Sequence, residues 1–165
     1  MADLSGKVLF SERDLWAHYM PERLEKAIVA LFSMSLAEVA RYTPTQQADM
    51  ISYRFRVHVP ILKRDRVEVS TRATGDGHFL DLTIPFSGDS SLFRVRPRTG
   101  GQQEPLRGVV SMHRLHLGVA LASPSESSLI TRVSEILAAI EDQLLCLQED
   151  AGIFSNELYL RLIRA

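Results

Sequence analysis

The chain holds 165 residues, 45% of them hydrophobic and 24% charged, with 19 Lys and Arg against 20 Asp and Glu. That balance excludes wholesale disorder and fibrous repeats, and the length suits one ordinary domain over residues 1–165, able to bury a core without staples. With Cys146 as its one cysteine the chain has no internal disulfide framework, which fits a reducing, cytoplasmic compartment.

Met1 to Val8 shows no basic region leading into an apolar run, so no secretory leader is expected. Lys7-Val8-Leu9-Phe10 is a candidate first strand. Ser11-Glu12-Arg13-Asp14 combines a capping hydroxyl with acidic residues and predicts a short helix start. Pro21, best tolerated in a first turn, restarts a longer helix. There Leu24, Ala27, Ile28, Leu31 and Ser35 form a core-facing stripe that Phe32 and Val39 widen. Its end is expected near Tyr42, because Thr43 precedes Pro44. The most apolar stretch, Ala27 to Leu36, is interrupted by Ser33 and Ser35 and is too short to span a bilayer.

From Ile51 the period changes to two. Ile51, Tyr53, Phe55, Val57 and Val59 alternate with Ser52, Arg54, Arg56 and His58, which predicts a strand. Val67 to Ala73 predicts another, joined by a Gly75-Asp76-Gly77 turn to a return strand from His78 to about Pro85. Leu92 to Arg96 reads as a short strand closed by Pro97, and Arg98 to Leu106, with Gly100-Gly101 and Pro105, as the most flexible stretch. Val109 to Leu121 is the last strand. Ser125 then caps a long helix whose stripe runs Leu129, Val133, Ile136, Leu137, Ile140, Leu144 and Leu147, with Gly152 as its stop. Residues 155–164 fit a short helix better than a strand.

The expected fold is therefore α+β. An antiparallel sheet of about five strands (residues ~51–121) is flanked by an N-terminal helical segment (~12–42) and packed by a C-terminal helix (~125–150). This element order resembles the helix-grip arrangement of the START and Bet v 1-like ligand-binding domains. The resemblance implies a ligand cavity between sheet and helix.

No catalytic, cofactor or metal motif emerges. Neither glycine pair opens a helix or precedes Gly-Lys-Ser/Thr, and the serine motif Gly-x-Ser-x-Gly is missing. His113 and His116 would sit on opposite faces of a strand, and the leucines around Cys146 suggest a buried, inert thiol. Ser35 to Tyr42 resembles the first helix of repressor DNA-binding units. Pro44 at the turn and a strand from Ile51 interrupt that pattern, so nucleic acid ranks last among partners.

Charge supplies the positive signal. Residues 51–118 carry eleven Arg and Lys against six Asp and Glu, a net of +5, and the remainder carries eight against fourteen, a net of −6. Arg54, Arg56 and His58 would project from one face of the first strand, Arg66 and Arg72 from the second, Arg94 and Arg96 from the third, with Arg114 further on. A shared face would attract an acidic surface or an anionic ligand. The alternative is ordinary cross-strand pairing with Glu68, Asp81 or the acidic helices. The reading favours a non-enzymatic interaction or assembly domain, a homo-oligomer or a binder of a protein partner, acting through the arginine face or an exposed helix stripe. An anionic or amphipathic small-molecule binder of helix-grip type, or a hydrolase-like enzyme on the same frame, stands second.

Overall fold

Two short strands, β1 (Lys7–Val8) and β2 (Arg13–Asp14), lead the chain in a computed structural model that describes residues 6–99 and 105–165. The helix expected from Ser11 is displaced: Asp14 accepts from the backbone N–H of Trp16 and Ala17, both at 3.0 Å, and caps a single π-turn, Leu15–Tyr19. The turn runs directly into α1 (Met20–Phe32), with Pro21 in its first turn as expected.

The long N-terminal helix breaks at Ser33. A new cap forms at Ser35, whose Oγ accepts from the Glu38 N–H while the Glu38 carboxylate receives the Ser35 N–H at 2.8 Å, opening α2 (Leu36–Arg41). The same device recurs eight residues later. Thr43 and Gln46 form a second capping box, Pro44 occupies the first helical position, and α3 (Pro44–Phe55) follows. This corrects the predicted strand from Ile51. Ala48 and Ile51 are buried and Phe55 half-buried, a helical spacing that competes with the two-residue alternation and wins because the capping box sets the helix going. Only the C-terminal part of the alternating run, from Arg56, is extended.

The strands that follow are β3 (Ile61–Leu62), β4 (Glu68–Thr74), β5 (Gly77–Ser87), β6 (Val95–Arg96), β7 (Arg107–Ser111) and β8 (Arg114–Leu121), and all of these but β6 join β1 in one sheet. Its order is β1-β7-β8-β5, with β3 and β4 pairing along the other edge of β5, all antiparallel, while β2 and β6 make a separate parallel pair. The α+β architecture read from the sequence is thus present. The predicted strand Val109–Leu121 is in fact a hairpin turning at Met112-His113, with Met112 at φ 53°, a turn without the glycine or asparagine that would advertise it. The predicted strand Leu92–Arg96 is mostly a 3-10 turn, Ser90–Arg94, capped by Asp89. Arg98 to Leu106, expected as the flexible loop, lies largely outside the described residues.

Register sorts the two faces. Leu80, Leu82, Ile84 and Phe86 of β5 pair with or flank Leu115 and Leu117 of β8 on the inner side, all buried. α4 (Glu126–Arg164) covers that side with the predicted stripe and runs through Gly152, continuing as Ala151, Phe154, Leu158 and Leu162. Gly152 fails as a stop because the apolar spacing persists beyond it. α3 packs on α4, and α1 packs on both. Leu80, Ile84, Leu115 and Ile140 show no accessible surface at all. These four side chains therefore form packed core.

One glycine has a sharp structural role. Gly88 has φ +106°, and a Cβ there would stand 2.8 Å from the Val59 carbonyl oxygen and 2.9 Å from the Pro60 Cα. Gly88→Ala should cost about 1–3 kcal/mol, through backbone strain and displacement of residues 59–60. Urea unfolding of the two proteins measures it.

Candidate functional site

The arginines proposed from sequence do not share one face. Arg54 is on the last turn of α3 and Arg56 at its C-cap, so neither projects from a strand. Arg66 closes a 3-10 turn beside Asp65, at 3.8 Å. Arg72 and Arg114 do lie on the outer sheet face, but opposite Phe79 and Pro85, six residues apart along β5 and so roughly 20 Å from each other. Arg94 ends the 3-10 turn and Arg96 lies on β6, 3.3 Å from Asp14.

Several of these cations have local partners. Arg72 donates to Asp81 at 2.8 Å and stacks over the Phe79 ring at 5.1 Å, and Arg114 approaches Glu68 at 4.0 Å. Arg64 bridges to Glu141 of α4 and holds its carboxyl below the usual carboxylate range. Exposed pairs like these contribute little each, roughly 0–1 kcal/mol, and use up the charge that would recruit a partner.

Arg56 and His58 behave differently. The Arg56 guanidinium lies 4.7 Å from the Tyr53 ring centroid, and its Nε donates to His58 Nε2 at 3.4 Å. Both residues line a groove of about 450 Å³ between the extended segment after α3, the Ser87-Gly88 corner and α4 at Gln148, Gly152 and Ser155.

Behind the groove lies a polar network that sets the path of this segment. Arg23 of α1 donates to the Phe55 carbonyl at 2.8 Å and the Arg56 carbonyl at 3.0 Å, which are orphaned acceptors at the end of α3. It also donates to the Tyr19 hydroxyl at 3.1 Å, and Tyr19 in turn donates to Asp89 at 2.8 Å. The Asp89 N–H closes the circuit on the His58 carbonyl at 2.8 Å.

A second kind of feature is apolar. Phe32 and Val39, expected to widen the core stripe, point outward instead: Phe32 is 70% exposed, and its neighbours along the surface, Val29 and Leu36, are 58% and 89% exposed. No residue of α2 is buried. The helix breaks at Ser33 and α2 starts afresh from the Ser35 cap, so the spacing that α1 obeys does not carry on into α2. α4 exposes a further set, Leu145, Ile153, Leu160 and Ile163, on the side away from its core stripe.

Other sequence candidates find ordinary settings. His113 sits edge-on to Phe86 with ring centroids 6.0 Å apart, and His116 Nδ1 lies 3.1 Å from the Thr83 hydroxyl on the outer sheet face. Cys146 is half-buried rather than fully buried, and its neighbour Leu145 is exposed. Among the described residues no group of three or more His, Cys, Asp or Glu could hold a metal ion, and no helix is long and apolar enough to cross a membrane. The α2–α3 pair does restore the helix that the repressor-like pattern lacked. It carries Glu38 and Asp49 against Arg41 and Arg54, however, with no basic excess to meet phosphate, and Val39, Met50 and Tyr53 stand exposed.

No protein-family model, no curated protein and no solved structure matches this chain.

Proposed function

We propose that this chain is a non-enzymatic assembly module that pairs with a second copy of itself through the exposed stripe Val29, Phe32, Leu36 and Val39. The observation that carries the reading is α2 itself. It is six residues long, capped at its start and buried nowhere, whereas isolated helices shorter than about 12–15 residues are marginal in water. Packing ordinarily stabilises such a helix, and a partner would supply it.

Charge favours a second copy as that partner. Glu25 and Lys26 flank one end of the stripe and Glu38 and Arg41 the other, so each end carries both signs. Under a two-fold axis the Lys26 end of one copy meets the Glu38 end of the other, and Arg41 meets Glu25, which makes the surface complementary to itself.

Light scattering on the eluting protein tests this. The wild type should run at twice the monomer mass at micromolar concentration. Phe32→Ser combined with Leu36→Ser should weaken pairing by at least about 100-fold, since each side chain withdraws roughly 1.5–3 kcal/mol of burial, and should leave thermal unfolding of the monomer nearly unchanged. Leu145→Ser with Leu160→Ser, on α4, should leave the dimer intact. A wild type that stays monomeric, or a dimer lost only through the α4 changes, overturns the proposal.

A further inference from the structure

The geometry points to a second, independent feature: the groove between residues 56–61 and α4 is a binding site for a small molecule bearing a phosphate or carboxylate group. Its volume, about 450 Å³, lies within the range of small-ligand sites, roughly 300–1,000 Å³.

The cationic wall is already in position. Arg56 is held over Tyr53 and against His58, and the backbone that carries both is tied down by Arg23 and Asp89. Among the described residues no carboxylate comes within ion-pair distance of Arg56, whereas Arg13, Arg64, Arg72, Arg96, Arg114 and Arg161 each have one within 4.0 Å. An ordered guanidinium beside an imidazole, lacking an anion from its own chain, is suited to take one from outside.

The floor supplies an independent observation. Gly152 lies inside a 39-residue helix, where glycine is destabilising by about 1 kcal/mol relative to alanine. A Cβ there would meet nothing within 4 Å. Packing within the chain therefore gives no reason for the glycine. What the missing side chain leaves is room on the groove floor, next to Ala151 and the Ser155 hydroxyl, facing Arg56 and His58. Asp49 lines the adjoining hollow together with Tyr53 and Arg56 and repels an anion from that side. The charged group of the ligand accordingly sits at the His58 end, and its uncharged remainder extends along Gly152 and Ser155.

Titration of the full chain with inorganic phosphate, and separately with acetate, at ionic strength held constant with sodium chloride, tests the site. The readout is the backbone amide resonances of residues 56–58, 88 and 152. Saturable shifts confined to this set are expected, and the anion that produces them distinguishes a phosphate from a carboxylate ligand. Arg56→Gln should weaken the response about tenfold or more. Arg54→Gln, two residues before the groove's basic wall, should bind as the wild type does. Gly152→Leu should abolish the response while far-ultraviolet circular dichroism shows α4 intact. Shifts that fail to saturate with either anion overturn the proposal, as do equal losses from Arg54→Gln and Arg56→Gln, or a Gly152→Leu protein that binds like the wild type.

Discussion

Replacing Phe86 by alanine should destabilise the protein by about 3–5 kcal/mol, the range for removing a large aromatic from a core that cannot collapse around the vacancy. Phe86 is 1% exposed. Its ring meets Phe93 edge-on at 4.8 Å and His113 at 6.0 Å, so three segments converge on it: β5, the 3-10 turn after Gly88 and the tip of the β7–β8 hairpin. Its backbone is committed as well, with the N–H donating to the His113 carbonyl at 2.9 Å and Leu62 paired across β3. Relaxation into the cavity would have to move all three segments, which places the expected cost toward the upper end of the range. Tyr53→Ala is the matching control: 69% exposed, it should change stability by less than about 1 kcal/mol. Urea denaturation of the two variants gives both values. A Phe86→Ala loss below that of Tyr53→Ala would mean that this end of the sheet is not packed. The same substitution should also loosen the Ser87-Gly88 wall of the groove, linking the core to the proposed anion site.

Sequence periodicity reported burial well along α4. The α4 stripe from Leu129 to Leu147 is packed as its period implies, and the β4–β5 hairpin around Gly75-Asp76 forms on turn residues suited to it, although the alternation of β4 does not translate into burial, with Val69 42% exposed. Failures concentrate where two local signals compete. Ile51 to Val59 satisfies both periods, and the deciding signal, Thr43-Pro44-Thr45-Gln46, lies eight residues upstream, where Pro44 could equally be taken as the end of the previous helix. Ser35-Leu36-Ala37-Glu38 was likewise a legible capping box, and it would have split the N-terminal helix at the right place. The turn at Met112-His113 carried no such sign.

The candidate sites were legible only in part. The sequence pattern points to Arg56 and His58 as neighbours on a strand, whereas they come together on the segment that leaves α3. Gly152, which opens the groove between them and α4, could be recognised only once the helix was seen to continue through it. The exposure of Phe32 and Leu36 depends on what packs over the end of α1 and over α2, a tertiary fact that no local window encodes.

On the alkaline side, stability should fall by about 3 kcal/mol between roughly pH 10 and 12, with Tyr19 as a principal cause. Burial, first, and then the hydrogen bond to Asp89 push the Tyr19 hydroxyl from its ordinary value of 10.0 up to about 12, against the opposing charge of Arg23. The folded protein therefore keeps this proton while the unfolded chain has begun to lose it. Stability is fully present below pH 10, declines as pH rises through the window, and levels once both states are ionised. Asp89 acts with the opposite sign. Burial favours its neutral form, but hydrogen bonds from Ser91 and Tyr19, with Arg23 at 3.9 Å, outweigh this and hold its carboxyl below the usual carboxylate range. Its contribution is present above the unfolded carboxylate value, about 4, and is lost as pH falls through the lower folded one. Tyr19→Phe should lower stability at pH 8 by about 1 kcal/mol, the worth of one hydrogen bond. It should also flatten the alkaline decline, so that the gap to the wild type narrows or reverses by pH 12. Asp89→Asn should flatten the acid limb and leave the alkaline one steeper than in Tyr19→Phe. Denaturant midpoints at pH 3, 5, 8, 10 and 11.5 resolve both limbs. An alkaline decline as steep in Tyr19→Phe as in the wild type would show that the loss originates in other groups.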